Sequence, residues 1–374
     1  MTVPQRLPGI DALKGLACAL IVWHHLAFYG PMSDVVHPLV PGLMNWLYDY
    51  GRMAVQVFLV VGGFLAAGSL APQGVAVFDA PGRLILRRYV RLLRPYLVAL
   101  AVSVLVAALV RPWFHHDSVP AAITLPQFLS HVFLLQDVLG QEALSAGVWY
   151  VAIDFHLFAM SVLLLAMARQ LRQRLPGRSA RSAMPALPAL PAIGAAGLVV
   201  ALALLSLLFF NRQPELDITG LYFYGAYALG MLAFWASRQA GRRRGQWLLA
   251  MAALGGLALV LDFRGRLVVA LATAFGLVWL AGLPPGALTA RWLQRSWLVP
   301  LGKISYSVFL IHFPLCLLVN AVVSHFWPTQ LLANALGLGA AFGLSLLAGV
   351  ALYRAVESRP LQQPQWARRR RVAG

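Results

Sequence analysis

Residues 9–25 read GIDALKGLACALIVWHH. This is an apolar run of membrane-spanning character with Asp11 and Lys14 toward one end and His24 and His25 toward the other. Ionisable groups inside a spanning helix are costly, so they persist where they face a bundle interior or an aqueous cavity. Lys14 and His25 are eleven residues apart, which at about 100° per residue is three turns plus about 20°. Both therefore lie on one stripe of a helix, separated by about 16 Å of rise. A spanning helix with a polar stripe predicts a membrane protein whose working site lies within the bilayer.

The rest of the chain agrees. Of 374 residues, 60% are hydrophobic, far above the usual share for a soluble domain of this length. Apolar stretches near bilayer length recur, predicting an all-α polytopic membrane protein of about ten spans. They fall near residues 9–29, 53–71, 92–110, 147–168, 188–210, 219–236, 246–261, 267–283, 299–323 and 331–353. The seventh and eighth are short, separated only by Asp262 to Arg266. No cleavable leader is expected, since the first apolar run lacks a small-residue cleavage site and contains two histidines. Cys18 and Cys316 both lie inside apolar runs and suggest neither a disulfide framework nor a metal site.

The formal charge of +18 would suggest nucleic acid in a soluble protein, but here the cations follow the loops and no nucleic-acid partner is expected. With the N-terminus inside, the 30 Lys and Arg all fall on the cytoplasmic side except Arg52, Arg111, Arg212, Arg264 and Arg266. That bias predicts both termini in the cytoplasm. The segment from Arg174 to Pro191 reads as a cytoplasmic linker, and Trp366 to Arg371 as a basic anchor against anionic lipid. Residues 125–140 are apolar but too short to span, and read as an interfacial or re-entrant outer helix.

Five groups of polar residues stand inside or at the edge of these spans. Asp11, Lys14 and His25 share the first, where Lys14 reads equally as a snorkelling residue and His24 as the interfacial imidazole. Arg88 and Arg91 project from one face at the inner end of the third, in the geometry that suits a phosphate, or as ordinary positive-inside decoration. The fourth carries Trp149 and Asp154; counted from nominal outer ends, Asp154 and His25 lie at comparable depth, so a carboxylate orienting an imidazole is expected. Ser305, Tyr306, Phe309 and His312 lie on the ninth, and Ser305 can also simply bond its own backbone. Glu357 closes the tenth as a rare cytoplasmic acid, with an ion pair as its default role. None of these is a metal signature.

Taken in order, these segments resemble the acyltransferase family 3 proteins, integral membrane enzymes that acylate glycans and related molecules. The resemblance runs from Gly9 to about Pro360. Lys14 through His25 is similar to a first-helix motif of a basic residue, ten residues and a histidine, with Lys where Arg is usual. Arg88-x-x-Arg91 is similar to an arginine pair, and Trp149 to Asp154 to a W-x-L-x-x-E element with Asp in place of Glu. Phe58 to Leu65 resembles F-F-x-x-S-G-F, with Gly62 in the serine position. Gly302 to His312 and Tyr353 to Pro360 match as well, with Phe309 where Tyr is frequent. Arg94 stands where proline is usual, Pro95 following it.

The resemblance implies a membrane domain over residues 1–360, a basic tail over 361–374, and a stand-alone form without a fused extracellular domain. It implies an O-acyltransferase of the bacterial inner membrane, taking an acyl group, commonly acetyl, from cytoplasmic acyl-CoA to a hydroxyl of a carbohydrate-type acceptor outside. No tightly bound cofactor is expected, and acyl-CoA is a co-substrate. In this reading His25 is the general base and Asp154 its orienting partner, while Arg88, Arg91 and Lys14 hold the donor. Asp11, Trp149, Ser305, Tyr306, His312 and Glu357 support the site. The partners are the bilayer, acyl-CoA and the acceptor, and a homo-oligomer stays open. The competing class is a non-enzymatic transporter or flippase of a glycan or small metabolite; a donor site at the inner mouth is gratuitous for it.

Overall fold

A computed structural model describes residues 8–174, 194–284, 287 and 295–360, and among them there is helix but no strand. Helices start where a proline occupies a first-turn position whose N–H would go unused, as at Pro31, Pro41 and Pro81. In chain order they are α1 Pro8–Phe28, α2 Pro31–Val36, α3 Pro41–Tyr50, α4 Val55–Leu70, α5 Pro81–Val110, α6 Leu125–Val132 and α7 Val148–Arg174. After the second described segment begins come α8 Ala195–Leu208, α9 Gly220–Ser237, α10 Gly241–Leu261 and α11 Gly265–Ala281. The last are α12 Leu298–Phe326 and α13 Leu331–Leu352, which runs into a π-helical turn over Tyr353–Glu357.

Among the described residues eight helical stretches are long and apolar enough to cross a membrane, with α3 and α4 forming one of them. This is an all-α polytopic membrane protein. Helices occupy all ten predicted windows; α11, with 17 residues, and α9, rich in Gly, Ala and Tyr, complete the set. α9 is buried along nearly its whole length. Its small residues let neighbouring backbones approach, which is how helices associate where lipid removes the hydrophobic drive between them. Apolar side chains on α5, α10 and α13 instead face outward, Val260 being 87% exposed. In water such a surface would aggregate; against lipid it is the natural exterior.

Two close crossings fix the interior. A Cβ on Gly302 of α12 would stand 1.7 Å from the Asp11 carbonyl oxygen, and one on Gly15 of α1 would stand 2.1 Å from that of Leu298. α1 and α12 therefore touch backbone to backbone. The same holds for α4 and α9, where Cβ atoms at Gly63 and Gly230 would meet the carbonyl oxygens of Tyr227 and Val60.

The boundaries depart from expectation for physical reasons. α5 begins at Pro81 rather than near 92, because its arginine-rich first turns are helical without being apolar. α7 continues to Arg174, and α10 is a full 21 residues long. The α10–α11 hairpin is held by Arg264, whose guanidinium donates to the Leu207 and Ala258 carbonyls and, at 2.6 Å, to Asn211 Oδ1. It thus satisfies the Leu207 carbonyl near the end of α8 and shares the Ala258 carbonyl with the Asp262 N–H that caps α10. The expected linker beyond Arg174 and the basic tail lie outside the described residues.

Candidate functional site

The α1–α12 crossing brings His25 and His312 together. Nδ1 of His25 lies 2.5 Å from Nε2 of His312, with the ring planes 11° apart and the centroids 4.8 Å apart. Since the centroids are separated by the nitrogen distance plus about two ring radii, the nitrogens face each other in line and the rings are coplanar rather than stacked face to face. Nδ1 of His312 is 2.7 Å from the Phe309 carbonyl, the backbone oxygen one turn earlier. His312 is fully buried, whereas His25 keeps 8% of its surface accessible. His24, expected at the interface, is also buried and donates from Nδ1 to the Leu47 carbonyl at 2.9 Å, tying α1 to α3.

Asp154 does not meet His25. Its Oδ2 accepts from Arg88 Nη2 at 2.5 Å, and the Arg88 guanidinium also sits 5.3 Å from the centre of the Phe158 ring. The expected carboxylate–imidazole pair does not form, because equal depth along two helices leaves their rotation and tilt unset, and α7 turns Asp154 toward α5 instead of α1. Gly62, in place of the family's serine, faces this pair: an ideal Cβ there would lie 3.6 Å from Asp154 Oδ1 and 3.1 Å from the Tyr227 ring.

Between the two pairs runs a string of aromatic contacts. The Phe309 ring lies 5.3 Å from that of Tyr150, which is one turn from Asp154, and Phe58 packs against both. Trp149 packs its ring against Phe223. Tyr306 donates to the Leu92 carbonyl at 3.0 Å, one turn before Pro95 in α5. Ser305 bonds the Gly302 carbonyl, the bland role expected for it.

The basic end of α5 closes the series. Glu357, on the π-helical turn, accepts from Ser307 at 2.6 Å, with Lys14 and Arg91 within electrostatic range. Lys14 also lies 3.9 Å from Asp11. Arg91 is exposed, while Arg88 is turned inward onto Asp154, so the arginine pair does not present two like groups to one side.

α6 is short and opens with a reciprocal cap between Thr124 and Gln127. The Tyr89 hydroxyl donates to the Val132 carbonyl, joining α6 to the turn of α5 that carries Arg88. His131 is fully buried between Gln127 and Leu144, bonding the carbonyl of the former and the N–H of the latter. Burial holds its imidazole below the ordinary value, opposed by the bond to the Gln127 carbonyl. Burial likewise pushes the Asp137 carboxyl up.

Sequence reasoning missed Tyr150, Tyr227 and Gln56. Gln56 is buried beside a cavity with room for about one water, lined also by Asn211, Tyr222 and Arg266. Only its polarity inside an apolar run signalled it. Among the described residues no group of His, Cys, Asp and Glu could hold a metal ion.

No curated protein and no solved structure matches the chain. The family model described as an acyltransferase domain matches residues 7–354, so that His25, Arg88, Asp154 and His312 all fall within it. With nearly its whole length covered, the chain belongs to the acyltransferase 3 family of membrane proteins.

Proposed function

We propose that the chain is a membrane-bound O-acyltransferase of the bacterial inner membrane, moving an acyl group, acetyl in the first instance, from cytoplasmic acyl-CoA to a hydroxyl of a glycan or glycolipid-type acceptor outside. Arg91 and Lys14 receive the CoA phosphates at the basic end of α5. Arg88 joins them by exchanging Asp154 for phosphate. Guanidinium forks suit that exchange because they bind either anion through paired hydrogen bonds. His25 takes the proton of the acceptor hydroxyl as its oxygen attacks the thioester carbonyl. General-base assistance of this kind is worth about 10²–10⁴-fold.

The observation that supports this reading is the continuous series of contacts from His25 and His312, through Phe309 and Tyr150, to Asp154 and Arg88. The series joins the proposed base at one end to the proposed anion site at the other.

The test is purified protein in lipid nanodiscs with labelled acetyl-CoA and envelope glycan extract. CoA release together with label in the glycan fraction, both lost in Arg88→Ala and His25→Ala at matched protein levels, is the expected result. Movement of glycan without thioester consumption would establish a transporter instead.

A further inference from the structure

We infer that His312, rather than Asp154, is the positioning residue that sets the tautomer of His25 and leaves Nε2 of His25 as the reactive nitrogen. The inference rests on the acyl-transfer reading above and assigns the atom that carries it out.

The argument starts at a carbonyl, which can only accept. Nδ1 of His312, 2.7 Å from the Phe309 oxygen, must therefore carry a proton. Among the described residues no carboxylate is a partner of either ring, and His312 is fully buried, so an added charge would be uncompensated and both imidazoles are neutral. A neutral ring protonated at Nδ1 has a bare Nε2. That Nε2 is the atom facing His25 Nδ1 at 2.5 Å in a coplanar arrangement, so His25 Nδ1 must be the donor. The proton of His25 is then on Nδ1, and its Nε2 bears the lone pair.

The accessibility of the two residues matches. His25 Nε2 has no hydrogen-bond partner among the described residues, and His25 is the ring that retains accessible surface. The chain Phe309 carbonyl, His312, His25 thus does what a carboxylate does in other nucleophile-activating groups: it holds the ring and its tautomer. In the step itself, the acceptor O–H proton passes to His25 Nε2. A bond forms between the acceptor oxygen and the thioester carbon. The C–S bond then breaks, and the CoA sulfur leaves with the proton from the imidazolium. As His25 gains its proton, the bond to His312 strengthens, because the donor becomes cationic.

The variants are His312→Leu, which removes the acceptor, and His312→Gln, whose side-chain oxygen can stand near the former Nε2. They are compared in inverted vesicles from expressing cells, with labelled acetyl-CoA and label counted in the glycan fraction, folded protein being matched by size-exclusion elution. His312→Leu is expected to lose at least about 10²-fold in kcat with KM for acetyl-CoA changed less than about twofold, and His312→Gln to recover at least about tenfold of that loss. Wild-type-like transfer by His312→Leu, with His25→Ala inactive, overturns this inference and leaves the acyltransferase reading standing. Equal inactivity of folded Leu and Gln variants also overturns it. Full activity of His25→Ala, or no transfer by the wild-type chain, overturns the reading beneath it as well. Nitrogen-labelled histidine in the purified wild-type protein supplies a readout independent of turnover: a proton found on His25 Nε2 rather than Nδ1 refutes the assignment.

Discussion

Asp154 divides its two oxygens between Arg88, which donates to Oδ2 at 2.5 Å, and Gly62, where an ideal Cβ would stand 3.6 Å from Oδ1 and 3.1 Å from the Tyr227 ring. The carboxylate is therefore paired on one side and faced by a glycine on the other, and the first two predictions follow from that asymmetry.

Removing one member of the ion pair leaves a buried charge alone. Asp154→Ala should destabilise the protein by about 3 kcal/mol, the low end for a broken buried pair, because the Arg88 side chain keeps 33% of its surface exposed. The double variant Arg88→Ala/Asp154→Ala should recover most of that stability without recovering acyl transfer. Thermal unfolding in one detergent, alongside the transfer assay, separates the two effects.

Gly62→Ser should stay within about 1 kcal/mol of wild type, because its Cβ asks the Tyr227 ring to give by only a few tenths of an ångström while the new hydroxyl can donate to Asp154 Oδ1. Gly62→Val should cost about 1–3 kcal/mol, since its added methyl groups crowd the Tyr227 ring. A serine variant as unstable as the valine variant would show that the space beside Oδ1 is already filled.

Arg264→Ala should cost about 2–4 kcal/mol, because the Leu207 and Ala258 carbonyls and the Asn211 amide oxygen lose a common donor. Arg264→Lys should restore little, as one ammonium cannot span acceptors arranged for a fork. Melting temperatures of the three proteins decide the matter. Arg264 also stands on the sparsely basic side of the sequence, and its bonds supply the structural reason that it is retained there.

The His131 imidazole lies below the ordinary value near 6.5, so the folded state resists protonation more than the unfolded chain does. The stability it provides is complete above the unfolded value and falls as pH drops from there toward the folded value. The protection of the Leu144 N–H, which donates to His131 Nε2, measured against the intrinsic exchange rate at each pH, should fall as pH drops below about 6.5. Asp137, whose carboxyl is pushed up, acts in the opposite direction, so His131→Gln is the control that isolates the imidazole. A loss of protection that persists unchanged in His131→Gln assigns the effect elsewhere.

Much of this architecture is legible in the sequence. The ten apolar windows each contain a helix, since hydrophobic length alone identifies a span. What a hydropathy window cannot register is helix that has left the apolar phase: α5 before Leu92 is continuous with its span but carries Arg83, Arg87, Arg88 and Arg91. The site divides in the same way. His25 and His312 are conspicuous as intramembrane imidazoles, and Arg88 and Asp154 as intramembrane charges. Which imidazole or charge meets which depends on tilt and rotation between helices, and rise along one helix contains neither. Gly15 and Gly302 carried the missing information, because a backbone contact at those two positions sets α1 and α12 in register.

That backbone contact has a consequence for how the protein meets membranes of differing thickness. A thinner or thicker bilayer strains helices into new tilts at a fraction of a kcal/mol per ångström of mismatch. Two rods riveted at Asp11/Gly302 and Gly15/Leu298 must tilt as one body, so the hydrogen bond between His25 and His312 should survive changes of acyl-chain length that displace less tightly joined helices.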